Sequence, residues 1–226
     1  MGDGVRMMKF KPEMLQVYLV IGTANVDYRV DRLLAVVAAA VRLGVTAVQF
    51  REKDQSRLTF AEQVQLGRAV HRLTAAQQVP LFVDDNFKLA QAVGAEGLHL
   101  GQTDPWPALK QKQQANLMVG LSVHDFTELN QSRSLLPYID YLGVGPVFAT
   151  KTKSDAKAPI GTSGLMDMVQ QTDLPLVAIG GISERNVWKL KTIPIAGVAV
   201  ISAITTSSKL ATTIRTLKLQ GGFHDQ

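Results

Sequence analysis

The sequence contains no cysteine. This excludes disulfides, thiolate zinc sites, iron–sulfur clusters and a cysteine nucleophile, and it fits a reducing, cytoplasmic setting. Aromatic residues make up only 6% of the chain, and the basic residues are scattered. A nucleic-acid surface would gather Lys and Arg into a stripe interleaved with aromatics, so no nucleic-acid partner is expected. Apolar runs are short: the longest, Leu33 to Val41, falls well below membrane-spanning length. The first residues, MGDGVRMMKF, lack the apolar centre of a signal peptide. A soluble protein without a membrane partner is expected.

The 226 residues are 46% hydrophobic and 19% charged, which supplies a sizeable core and excludes wholesale disorder. The net charge of +5 suits either an ordinary basic surface or phosphorylated small molecules. One unit recurs along the chain: a short β-rich apolar run, a polar turn, then an amphipathic or alanine-rich segment. Strands are predicted at Val17–Gly22, Ala47–Phe50, Leu81–Val83, Gly97–Leu100, Met118–Val123, Tyr138–Val144, Leu176–Gly180 and Val198–Ile201. Helices are predicted at Asp31–Leu43, Thr59–Gln78, Phe87–Val93, Pro105–Gln113, Phe126–Ser132, Leu165–Gln171, Glu184–Leu190 and Ser208–Leu219. Thr59-Phe-Ala-Glu62 reads as a capping box, Asp104 before Pro105 as a cap, and Asp31 as a cap ahead of the Leu33, Val37, Val41 stripe.

Strict alternation of strand and helix implies a parallel sheet with right-handed crossovers. Eight such units in this length point to an α/β fold of the (β/α)8 TIM-barrel class, forming one domain over 1–226 with short flexible termini; an open doubly wound sheet is the alternative. The irregular stretch Pro146–Ser163 has the length of a functional lid.

In a barrel the chemistry lies at the carboxyl ends of the strands. After the second strand, Gln49-Phe-Arg-Glu-Lys53 places Gln49, Arg51 and Lys53 on one side of an extended chain. That set suits a diphosphate, or else a solvated strand end. After the third and fourth strands, Asp85 and Asp104 can meet over the mouth. They suit Mg²⁺ held together with substrate phosphates; a turn and a helix cap are the plainer alternatives, and acid–base catalysis ranks below metal binding. Ser122 follows the fifth strand without a nucleophile elbow and reads as a ligand contact, while His124 reads as a helix-start or packing residue. His71 is expected on a helix surface, His99 within a strand and His224 in the tail; no histidine pair has metal-ligand spacing. Thr150, Thr152 and Lys153 can donate to anionic oxygens. Gly180-Gly181 and Ile201-Ser202 end the seventh and eighth strands, where barrels commonly bind phosphate.

Eight short motifs occur in order: Gln49-Phe-Arg-Glu-Lys53, Val83-Asp-Asp, His99-Leu-Gly-Gln-Thr-Asp104, Gly120-Leu-Ser-Val-His124, Tyr141-Leu-Gly-Val-Gly-Pro, Thr150-Lys-Thr-Lys153, Ala178-Ile-Gly-Gly-Ile182 and Ile201-Ser-Ala203. From the second strand to the eighth the chain resembles the thiamine-phosphate synthase family. The resemblance implies condensation of a hydroxymethylpyrimidine diphosphate with a (carboxy)thiazole phosphate, giving thiamine phosphate and diphosphate. By motif, Gln49, Arg51, Glu52, Lys53, Asp84, Ser122 and Lys153 would belong to the pyrimidine diphosphate site, and Asp85 and Asp104 would hold Mg²⁺. Thr150, Lys151, Thr152, Gly181, Ile201 and Ser202 would surround the thiazole phosphate. Arg51, Lys53, Ser122 and Lys153 would carry catalysis. The chain departs from the family pattern at Asp84, where Asn is usual. The rival functions are a thiazole tautomerase and a non-catalytic phosphate-ligand barrel. A homo-oligomer is compatible with such a chain.

Overall fold

The computed structural model describes residues 8–53, 56–103, 116–150 and 157–218. Eight strands run in chain order: β1 (Val17–Ile21), β2 (Ala47–Phe50), β3 (Leu81–Asp84), β4 (Gly97–Leu100), β5 (Met118–Val123), β6 (Tyr141–Val144), β7 (Leu176–Ile179) and β8 (Gly197–Val200). Each pairs in parallel with the next, and β8 returns to β1, closing the barrel. The expected fold class is therefore the observed one. Between the strands lie α1 (Val30–Arg42), α2 (Phe60–Ala75), α3 (Phe87–Val93), α4 (Phe126–Gln131), α5 (Gly161–Val169), α6 (Ser202–Thr205) and α7 (Leu210–Leu217). Among the described residues no helix is long and apolar enough to cross a membrane.

The strands are buried on both faces, and alternate residues build two separate apolar layers. Outward-facing Leu19, Val48, Val83, Leu98 and Leu121 pack under the helices, joined by Leu33 and Val37 of α1 and Val70 of α2. Inward-facing Tyr18, Val20, Phe82, Met118, Tyr141 and Val177 fill the barrel itself. The interior is tiled by setting a large ring opposite a glycine. A Cβ on Gly97 would lie 2.2 Å from the Phe82 ring, and one on Gly120 would lie 2.2 Å from the Tyr141 ring. The floor is closed by the chain ahead of β1, where Phe10 stacks on Tyr141 at 5.8 Å between centroids.

Most predicted elements agree to within a residue or two, and the differences have local causes. The capping box at Thr59 forms as expected: Thr59 Oγ1 accepts from Glu62 N–H and Glu62 accepts from Thr59 N–H. Asp31 does not cap α1. The helix starts a residue earlier, and Asp31 sits in its first turn paired with Arg29, where its charge still complements the helix dipole. The sixth strand begins at Tyr141 because Leu136–Tyr138 forms a 3₁₀ turn around Pro137. The expected helix at Glu184–Leu190 is reduced to a 3₁₀ turn at Val187–Leu190, and that at Ser208–Leu219 to α7, preceded by the separate α6. The expected helix Pro105–Gln113, with its Asp104 cap, lies outside the described residues.

At the amino-terminal face His71 of α2 meets Glu96 at 2.9 Å, and Glu96 also accepts the Leu81 N–H that opens β3. The hydrogen bond to Glu96 raises the His71 pKa above its ordinary value. A raised folded-state pKa contributes stability fully below the unfolded value, about 6.5, and loses it as pH climbs through the folded value. The stability difference between wild type and His71→Ala should therefore be larger at pH 5.5 than at pH 8.5. Denaturant melts at the two pH values check this, and an equal difference at both would refute it.

Candidate active site

At the carboxyl ends of the strands a pocket of about 390 Å³ opens among the loops. Arg51 and Lys53 follow the end of β2, and Asp84 closes β3 with Asp85 just beyond it. Adjacent strands in register bring the two charged pairs side by side. Arg51 Nε lies 3.1 Å from Asp84 Oδ2, and Lys53 Nζ pairs with Asp85 Oδ2. Asp84 is the more enclosed acid, its side chain 10% exposed against 19% for Asp85. Asp85 adopts a left-handed backbone (φ 57°), a conformation Asp tolerates, and Asn86 then caps α3 by accepting from Leu89 N–H at 3.0 Å.

Glu52, between the two cations, does not line the pocket. Its carboxylate accepts from the Thr23 N–H, from Thr23 Oγ1 at 2.9 Å and from Ser56 Oγ at 2.6 Å. It thus ties the loop after β2 to the loop after β1 and holds the segment that presents Arg51 and Lys53. Gln49 points into the barrel below the ion pairs, 5% exposed, and donates to Tyr18 Oη at 3.2 Å. It lines a smaller cavity of about 20 Å³ together with Asp84, His99 and Ser122. Gln49 shares that cavity with the acid Arg51 pairs with, and beyond Phe50 the chain leaves strand geometry.

Across the pocket lie Ser122 at the end of β5, Thr150 after β6, and Gly181, Ile201 and Ser202 after β7 and β8. Gly180 and Gly181 both have positive φ, 96° and 65°. A Cβ on Gly181 would lie 2.5 Å from Ala149 O, so the two loops approach as backbone on backbone. Asn186 fixes this turn, donating to Gly181 O and accepting from Ser183 N–H at 2.8 Å each. Backbone amides near a glycine pair and the start of α6 suit a phosphate. Asp104, Lys151, Thr152 and Lys153 lie outside the described residues. Among the described residues no three His, Asp or Glu side chains gather as metal ligands.

The pocket also takes in His124, expected as a helix-start or packing residue, together with Gln102, Glu128 and Lys157, to which the sequence reading gave no role. His124 Nδ1 lies 3.1 Å from Gly145 O; a carbonyl only accepts, so Nδ1 carries the hydrogen. Glu128 of α4 accepts the His124 N–H at 2.7 Å and pairs with Lys157. Asp125 caps α4, and the backbone N–H of Glu128 holds its carboxyl below the usual range. Gln102 donates to Ser122 O at 2.8 Å. Asp125 and Glu128 stand at the spacing of a helix cap, whereas the Gln102–Ser122 and Glu128–Lys157 pairs join residues far apart in the sequence and are announced by no spacing.

A family model described as thiamine monophosphate synthase matches residues 17–204. The thiamine-phosphate synthase of Leuconostoc citreum is 42% identical over 207 residues, covering 92% of this chain and 97% of its own. That of Limosilactobacillus reuteri is 40% identical over 214 residues, covering 93% and 98%. Among solved structures, a thiamine phosphate pyrophosphorylase from Pyrococcus furiosus superimposes with a TM-score of 0.76 at 31% identity, covering 91% of this chain and 95% of that one.

The bridging role of Glu52 is open to direct test. Glu52→Ala leaves the Thr23 amide, in a residue 2% exposed, without its acceptor. It should cost about 2 kcal/mol of folding stability, the range for a buried donor left unsatisfied. Urea denaturation measures this, and a loss below about 0.5 kcal/mol would mean the two loops hold together without it.

Proposed function

The chain belongs to the thiamine monophosphate synthase family, and from that membership we propose how its own residues perform thiamine-phosphate synthesis. The observation that carries the proposal is a single pocket with two unlike walls. One wall holds Arg51 and Lys53; the other holds the glycine turn Gly180-Gly181 and the start of α6. Two phosphorylated substrates of different charge suit two such walls. The pyrimidine diphosphate takes the first, with Gln49, Asp84 and Ser122 beneath it and Lys153 joining from the loop after β6. The thiazole phosphate takes the second, with Thr150, Lys151, Thr152, Gly181, Ile201 and Ser202 around it.

In the free pocket the two cations are matched by two carboxylates. An entering diphosphate competes with those carboxylates, and Arg51 can fork onto two phosphate oxygens as it could onto a carboxylate. The donor chemistry at Asp85 fits a hard divalent cation, which takes oxygen ligands and retains substrate phosphates among them. Asp85, with Asp104, would hold Mg²⁺, which when bound supplies Lewis-acid neutralisation of the diphosphate charge. Breakage of the pyrimidine CH₂–O bond places negative charge on the departing diphosphate. Arg51, Lys53 and Lys153 stabilise that charge electrostatically, and the thiazole nitrogen then bonds to the freed methylene carbon. Nitrogen attack releases no proton, so the pocket needs no general base. The cysteine-free sequence supports a cytoplasmic setting.

Diphosphate release that requires both substrates tests the function as a whole; product from the thiazole phosphate alone would indicate an isomerase instead. Arg51→Ala should lower kcat/KM for the pyrimidine substrate by about 2 kcal/mol of transition-state stabilisation or more, while thiazole phosphate binding stays near wild type. Wild-type kcat/KM in that variant would remove Arg51 from the site. EDTA should abolish turnover and Mg²⁺ restore it, and Asp85→Ala should raise the Mg²⁺ concentration needed. Turnover indifferent to EDTA would overturn the metal assignment.

A further inference from the structure

Below the ion pairs a row of polar side chains crosses the barrel interior, and its donor–acceptor sense is fixed from one end. Gln49 Nε2 is an amide nitrogen, which only donates, and it gives an N–H to the Tyr18 hydroxyl oxygen. Tyr18 and Tyr141 hydroxyls lie 3.0 Å apart. A phenol has one proton, and since Gln49 only donates, Tyr141 is the neighbour in this row that can accept the Tyr18 proton. Tyr141 in turn directs its own to His99 Nδ1, 3.0 Å away. A neutral imidazole that accepts at Nδ1 carries its hydrogen on Nε2, and Nε2 lies 2.9 Å from Ser122 Oγ. Ser122 accepts there, so its own O–H is turned to the pocket it lines. The opposite sense would put the proton of His99 on Nδ1, have Tyr18 accept from both Tyr141 and Gln49, and leave the Tyr18 proton without an acceptor in the row.

The framework keeps this row in place. Tyr18, Gln49, His99 and Tyr141 are all buried. Phe10 stacks on one face of the Tyr141 ring with 10° between planes, and Phe82 meets it edge-on at 5.5 Å. Strand β5 supplies Gly120 where the hydroxyl meets the imidazole: a Cβ there would lie 2.4 Å from Tyr141 Oη and 2.5 Å from His99 Nδ1.

We infer that Tyr141 and His99 are positioning residues that make Ser122 a hydrogen-bond donor to the ligand. At that point the pocket then offers an O–H to a ligand atom with a lone pair (an unprotonated ring nitrogen or a phosphate oxygen). This rests on the reading of the pocket as the pyrimidine diphosphate site.

Tyr141→Phe keeps the ring and its stacking and removes only the hydroxyl. Calorimetric binding of the pyrimidine diphosphate, with Mg²⁺ present, is compared for wild type, Tyr141→Phe, Ser122→Ala and the double variant. Tyr141→Phe should weaken binding roughly fivefold, the size of one hydrogen bond, and leave thiazole phosphate binding unchanged. Added to Ser122→Ala it should cost nothing further, because the group it acts through is gone. An equal loss in both backgrounds, or an unchanged Kd in Tyr141→Phe, would overturn the inference. His99→Phe removes the next link and should show the same coupling, which keeps the test decisive if Tyr141→Phe fails to fold. Wild-type protein that does not bind the pyrimidine diphosphate would instead overturn the reading of the site, and this inference with it. Repeating the titration with inorganic diphosphate identifies the lone pair: a matching loss assigns it to a phosphate oxygen, and no loss assigns it to the ring.

Discussion

Closing eight parallel strands on themselves creates an interior that only their own inward side chains can fill, and the rest of this molecule follows from that constraint. Every second residue of each strand is committed to the barrel's inside, so the composition of that set decides what the barrel can hold. Here the lower half is apolar and aromatic, with Phe82 and Tyr141 accommodated by Gly97 and Gly120. The upper half becomes progressively polar, through Tyr18, Gln49, His99 and Ser122, until the charged strand ends are reached. Among the described residues no buried side-chain nitrogen or oxygen lacks a hydrogen-bond partner. A polar row in such surroundings is tolerable only on that condition, since an unpaired group there would carry its full desolvation cost.

The same constraint separates rigidity from reactivity. The two apolar layers and the ladder of parallel hydrogen bonds hold the strands, and the strands hold only the roots of the functional side chains. What lies above them is loop, and the loops are fastened to one another by single polar residues. Glu52 joins the first two, Asn86 caps the helix after the third, and Asn186 sets the glycine turn after the seventh. The 3-hexulose-6-phosphate synthase of Salmonella typhimurium shares the fold, with a TM-score of 0.60 at 15% identity. Likeness at that level concerns the scaffold, and the chemistry belongs to the loops.

Much of this was legible in the sequence because it is local. Ala47–Phe50, Gly97–Leu100 and Met118–Val123 are strands to the residue, since continuous apolar runs bounded by polar turns leave little choice. Phe87–Val93 is likewise set by its cap and its Gly94 terminus. The pocket residues were found by their place after each strand, an argument from fold rather than from contact. What could not be read is whatever depends on a partner from elsewhere in the chain. The pairing of Arg51 with Asp84 and of Lys53 with Asp85 joins residues of neighbouring strands and is one such case. His99 was placed on its strand but not in the interior row, because its neighbours come from β5 and β6. Glu52 stood in the middle of a binding motif, and no pattern of spacing distinguishes a carboxylate that fastens a loop from one that faces a ligand.

The resting charge of the mouth has a consequence for what the pocket ignores. Arg51 and Lys53 each face a carboxylate, so the charges of these two cations are matched within the protein. Small anions abundant in any cell, such as sulfate, chloride or inorganic phosphate, arrive with little to gain from displacing those carboxylates. An anion that takes this wall has to outcompete Asp84 and Asp85 for both cations, so charge spread over several oxygens counts for more there than a single charge.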